Sequence, residues 1–72
     1  MNINTSKEAR KALRAAIKAK VEALKLSNND AAPKLGLSIA QTSRLINDHD
    51  AFSTDRLIDA ARAIRIPVRL SA

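Results

Sequence analysis

The chain has 72 residues, with 13 Lys and Arg against 7 Asp and Glu for a formal charge of +6, no cysteine and one histidine, His49. That length has room for a single domain, expected over residues 1–72, which buries little more than about 60% of its unfolded surface. A disulfide framework is excluded and a zinc-type site lacks its usual ligands, so no metal and no cofactor are expected. The apolar residues include 14 alanines alongside 8 Leu and 7 Ile, a mixture that suits closely packed helices better than a sandwich or barrel. No apolar run reaches membrane-span length and the N-terminus lacks the apolar core of a signal peptide, which predicts a cytoplasmic protein with no membrane partner.

The charge favours an anionic partner, and it is unevenly spread. Residues 1–25 carry seven Lys/Arg against two Glu, residues 26–60 three against five Asp, and residues 61–72 three Arg alone.

After a short polar tail over residues 1–5, Thr5-Ser6-Lys7-Glu8 has the S/T-x-x-E form of a capping box. A helix is predicted from near Ser6 to Leu24, with Leu13, Ile17, Val21 and Leu24 recurring at helical period beside Ala9 and Ala16. At 100° per residue, Lys7, Lys11, Arg14, Lys18 and Lys25 fall within an arc of roughly 60° next to that face. They form either a solvated flank or a stripe aimed at phosphates. A membrane-surface helix would want larger apolar side chains than these alanines.

Ser27 followed three residues later by Asp30 marks a second helix start, over Asn28 to Leu35. Gly36 stands where a left-handed residue ends a helix, and Ser38 caps the next one. Pro33 removes one backbone bond to Asn29, which predicts a kink or a later start. The following helix, Ile39 to about Asn47, turns Leu45, Ile46 and Thr42 inward and Ala40, Gln41, Ser43, Arg44 and Asn47 outward. Asn47-Asp48-His49-Asp50 reads as a polar loop, since Asn and Asp tolerate the left-handed conformation. Ser53 caps a fourth helix with Leu57, Ile58, Ala61 and Ile64 on its core side, and Arg62 and Arg65 close it. The segment 66–72 is a strand or tail: Ile66-Pro67-Val68-Arg69-Leu70 alternates as a strand does, and Pro67 confines it to an edge. In an otherwise helical chain such a strand either stays disordered or pairs with another chain.

Catalysis finds little support. Ser43, His49 and Asp50 lack a nucleophile elbow and an oxyanion loop, so the protein is not expected to be an enzyme. The constellation from Leu26 to Asn47, two capped helices around a glycine-containing turn, is what a DNA-binding helix-turn-helix requires, and also what a plain helical hairpin provides.

The stretch LSNNDAAPKLGLSIAQTSRLIND, followed by FSTDRLIDAARAIRIPVRL, resembles the Xre-type helix-turn-helix family of phage repressors and Cro, and among them the short HigA-type antitoxins. The resemblance covers Leu26 to Leu70. It implies an all-α, four-helix, lambda-repressor-like DNA-binding domain with a short C-terminal strand. The implied function is sequence-specific repression at a palindromic operator on double-stranded DNA, as a homodimer, and with a cognate toxin as a further partner if the chain is an autoregulatory antitoxin. The alternative is an interaction module that mainly neutralises a toxin. Carried over by position, Ile39, Ala40, Gln41, Ser43 and Arg44 would read bases, with Ile39 suited to a thymine methyl, Gln41 to adenine and Arg44 to guanine or phosphate. Asn28, Asn29, Ser38 and Asn47, with Lys11, Arg14 and Lys18 of the stripe, would meet the DNA backbone. Ile66, Val68 and Leu70 would form the dimer strand. The sequence departs from the family at Pro33, at Ile39, and at Asp48, where glycine is frequent; Asp48 and Asp50 would oppose binding if they faced phosphates.

Overall fold

Four serines start four helices. In the computed structural model, which describes residues 2–3 and 6–70, these are α1 (Lys7–Ala23), α2 (Asn28–Leu35), α3 (Ile39–Ile46) and α4 (Thr54–Ala63). Ser6, Ser27, Ser38 and Ser53 sit at the N-caps in extended conformation, each hydroxyl accepting the N–H of the residue three places on, which satisfies one orphan donor per helix. The first cap is Ser6, whose hydroxyl accepts from Ala9 at 3.1 Å; Thr5, expected to head a capping box, lies outside the described residues.

The helix ends are equally regular. Lys25, Gly36, Asp48 and Arg65 have φ of 56°, 72°, 62° and 65°, and at each the next residue's N–H turns back onto the helix. Leu26 reaches the Val21 carbonyl, Leu37 that of Ala32, His49 that of Arg44 and Ile66 that of Ala61, at 2.9 to 3.1 Å. These bonds satisfy carbonyls that a helix end otherwise leaves bare. At Gly36 an added Cβ would meet nothing within 4 Å, so only the backbone conformation asks for glycine there. Lys25 and Arg65 adopt the same conformation with a Cβ in place. Lys25→Gly and Arg65→Gly should therefore each raise stability by about 0.5–1 kcal/mol in urea unfolding, and a decrease would refute the strain.

Pro33 neither interrupts α2 nor delays it: the helix runs unbroken over the expected span. The proline deprives only the carbonyl of exposed Asn29, at the first turn, while its own carbonyl accepts from Gly36. Leu24, expected on the core face, is 49% exposed because α1 ends at Ala23 and the chain turns away.

Leu13 and Ile17 of α1, Leu45 of α3 and Leu57 of α4 are 0–1% exposed and form the centre of the core. Helix α1 packs on α4 and α3, and α2 on α3 and α4. Buried Ala31, Ala32, Ala60 and Ala61 let the backbones approach closely.

The expected C-terminal strand over 66–70 does not form as such. Only Arg69–Leu70 (β2) has strand pairing, and its partner is in the same chain: Asn2–Ile3 (β1), parallel, with Asn2 opposite Arg69 and Ile3 opposite Leu70. Val68 is 6% exposed within the chain's own core and half-buried Ile66 packs against it, so both side chains have partners within the chain itself. Arg62 holds this segment by donating to the Val68 carbonyl at 3.1 Å. Residues 2–3, read as tail, are the pairing partner; Ser71 and Ala72 lie outside the described residues.

Candidate nucleic-acid interface

Helix α3 buries Thr42 and Leu45, which fixes its orientation. The Thr42 hydroxyl donates to the Ser38 carbonyl at 2.9 Å, so this polar side chain is buried without an unmet bond. Turning from the buried side by 100° per residue leaves Ile39, Ala40, Arg44 and Asn47 exposed, with Ser43 half-buried among them. Five residues expected to meet DNA thus share one face. Ile39, the first residue of α3, is 54% exposed, an unusual setting for a large aliphatic side chain at a helix start. Asn47 caps the other end, and its amide nitrogen lies 3.4 Å from the Ser43 hydroxyl it donates to.

Two flanks border this face. On one, Gln41 and Arg44 surround a depression of about 150 Å³ together with Phe52, Ser53 and Arg56. On the other, Lys11 and Lys18 of α1 border a depression with Leu45, Ile46 and Asp48. The presented helix therefore has exposed cations on both sides, Arg56 on one and two lysines on the other. Asn28 and Asn29 occupy the first turn of α2, half-buried and exposed respectively, and Ser38 is exposed at the α3 cap.

Arg14 does not belong with the phosphate contacts. Its side chain is 5% exposed, its Nε donates to Asp48 at 2.8 Å and its Nη1 to Asp50 at 3.1 Å. Arg10 completes the group with two bonds to Asp50, at 3.0 and 3.3 Å. Lys25 also leaves the stripe, beyond the end of α1, so the stripe reduces to exposed Lys7, Lys11 and Lys18. The two aspartates that stood against DNA binding are thereby neutralised by arginines and tie the α3–α4 loop to α1. Hydrogen bonding from Arg14 holds the Asp48 carboxyl below its ordinary range, and bonding from Arg10 does the same for Asp50.

Gln41 has a role that its position on the sequence hides. Its side-chain oxygen accepts the Ser38 N–H at 2.9 Å, closing a capping box, and also the Arg56 guanidinium at 3.4 Å. Arg56 itself escapes a reading of the sequence, because nothing local to Ser53–Arg56 signals contact with a residue 15 places back. Arg10 leaves a faint signal, four residues before Arg14 on the same helix side, facing two aspartates spaced by two.

A helix-turn-helix family model matches residues 17–70. The chain belongs to the Xre-type, lambda-repressor-like helix-turn-helix family. It is accordingly a DNA-binding transcription regulator. The chain matches no curated protein and no solved structure. No helix among the described residues is long and apolar enough to cross a membrane.

Proposed function

We propose that this helix-turn-helix domain is a repressor that reads a two-fold operator as a homodimer, without catalysis, in the cytoplasm. The observation that carries the reading is the α3 face of Ile39, Ala40, Ser43, Arg44 and Asn47 bordered by Arg56 on one side and by Lys11 and Lys18 on the other. A helix seated in the major groove needs side chains toward base edges along its length and cations toward the phosphate strand on either side. In a dimer the two α3 helices would enter successive major grooves about 34 Å apart. Because Ile66 and Val68 are engaged by the chain's own core, any strand-mediated dimer contact would use the backbone of Arg69–Leu70.

Selection of bound duplexes from a random pool tests this. An enriched palindrome is expected, with affinity falling steeply as salt rises. Arg44→Ala should weaken binding to that site by about 10- to 100-fold, the range of one good base contact, without changing the melting temperature. Binding indifferent to both salt and Arg44 would refute the reading.

A toxin-neutralising role has one observation in its favour. Exposed Leu24, with Ala63 and Ile64, lines a depression of about 420 Å³ edged by Lys20, Lys34 and Arg65, and none of these residues belongs to the α3 face. Co-expression with the product of the adjacent gene, followed by co-purification, separates the two readings.

A further inference from the structure

We propose that Gln41 is a donor-only reader of the major groove, its amide oxygen held inside the protein by Ser38 and Arg56, so that it selects guanine or thymine and not adenine. This rests on the DNA-binding reading above and gives it a base preference.

The orientation of a glutamine amide is set by its partners. Here two independent donors meet the same atom. The Ser38 backbone N–H and the Arg56 Nη2 both point at Gln41 Oε1, at 2.9 and 3.4 Å, and neither could accept from an amide nitrogen in its place. An sp² oxygen has two lone pairs, and both are engaged. The nitrogen Nε2 carries two N–H donors, and no described residue accepts from them, while Gln41 itself is half-buried at the edge of the α3 face.

The familiar pairing of glutamine with adenine requires the amide oxygen to accept from N6 while the nitrogen donates to N7. That pairing would need the lone pair of Oε1 that Arg56 occupies beside the Ser38 N–H. A side chain that shows only donors instead suits guanine, whose major-groove edge offers N7 and O6, and next thymine, which offers O4, whereas adenine sets its N6 amino donors beside its one acceptor, N7, donor against donor. Arg44 lines the same depression and likewise has only donors. Arg56 acts here as a positioning residue, through Gln41.

Random-duplex selection followed by sequencing, run in parallel on the wild type, Gln41→Ala, Gln41→Glu and Arg56→Met, tests the proposal. The wild-type site should contain a position favouring guanine or thymine whose preference drops about tenfold in Gln41→Ala while the other positions keep theirs. Gln41→Glu retains an acceptor for Ser38 but replaces the outward donors with an oxygen, so that position should turn to cytosine or adenine, the bases with an exocyclic amino group in the groove. Arg56→Met should admit adenine at that position alone, with an unchanged melting temperature, an effect that a merely structural role would not produce. Adenine at the Gln41-dependent position of the wild-type site would overturn the proposal, as would profiles that Gln41→Ala leaves untouched. If no variant and no wild-type protein enriches any sequence, the DNA-reading function fails and this proposal with it.

Discussion

Arg14→Met is expected to cost about 2 kcal/mol, or roughly 10 °C in melting temperature for a domain of this size. Burial sets the size of the effect. Arg14 is 5% exposed at its side chain and bonds two carboxylates, from Asp48 and Asp50, that are themselves 54% and 33% exposed. A fully buried pair broken on one side loses more, about 3–5 kcal/mol, because the remaining charge stays stranded. Here both aspartates reach water once the guanidinium is gone, and methionine keeps most of the packing of the aliphatic stem. Lys11→Ala and Lys18→Ala on the same helix should change stability by no more than about 0.5 kcal/mol. Each should instead reduce the salt slope of DNA binding by about 0.9 for every phosphate it no longer neutralises. Urea unfolding and salt-dependent binding together separate the two behaviours. Equal effects at Arg14 and Lys11 would refute the division of the stripe.

The same cluster fixes a pH dependence. Asp48 and Asp50 bind protons more weakly in the folded than in the unfolded chain, through hydrogen bonds from Arg14 and Arg10. Their contribution is therefore complete above the ordinary carboxylate range, near about 4, and is lost as pH falls through the lowered folded values. Thermal melts from neutral to strongly acidic pH should show a shallower acid decline for Arg14→Met than for the wild type.

Helix boundaries are legible in the sequence because their causes are local. Ser27, Ser38 and Ser53 each head a segment whose apolar residues recur at helical spacing, and the three short helices begin where those serines predict. The ends at Lys25 and Arg65 carry no such sign, since the left-handed conformation there belongs to residues that do not prefer it. The placement of the α3 face follows from periodicity alone, as Thr42 and Leu45 have to turn inward. What one strip of sequence does not show is pairing across the fold. Arg14 has the spacing of a basic-stripe member, yet partners 34 and 36 residues away claim it. Gln41 has the spacing of an outward reader, yet its oxygen is taken by Ser38 and Arg56. The two-residue strands have no pattern of their own, so only the meeting of the two chain ends reveals the in-chain partner of Arg69–Leu70.

Leu45→Ala should cost about 3 kcal/mol and separates stability from recognition. Leu45 is 1% exposed and sits on the inward side of the helix that presents Arg44, so truncation opens a cavity under the reading face without removing any group that could touch DNA. A 72-residue domain typically has about 4–11 kcal/mol of stability in all, and the loss consumes a large share of it. The remaining folded molecules still carry Arg44, Gln41 and the flanking cations, so DNA at about a hundred times its dissociation constant should restore about 2.7 kcal/mol by mass action. Arg44→Ala has the opposite signature: an unchanged melting temperature without DNA and a smaller rise when DNA is added. Melting each variant with and without the selected duplex distinguishes them. If Leu45→Ala gained no stability from DNA, its inward position would not be the only thing it contributes, and the separation between the packed and presented sides of α3 would fail.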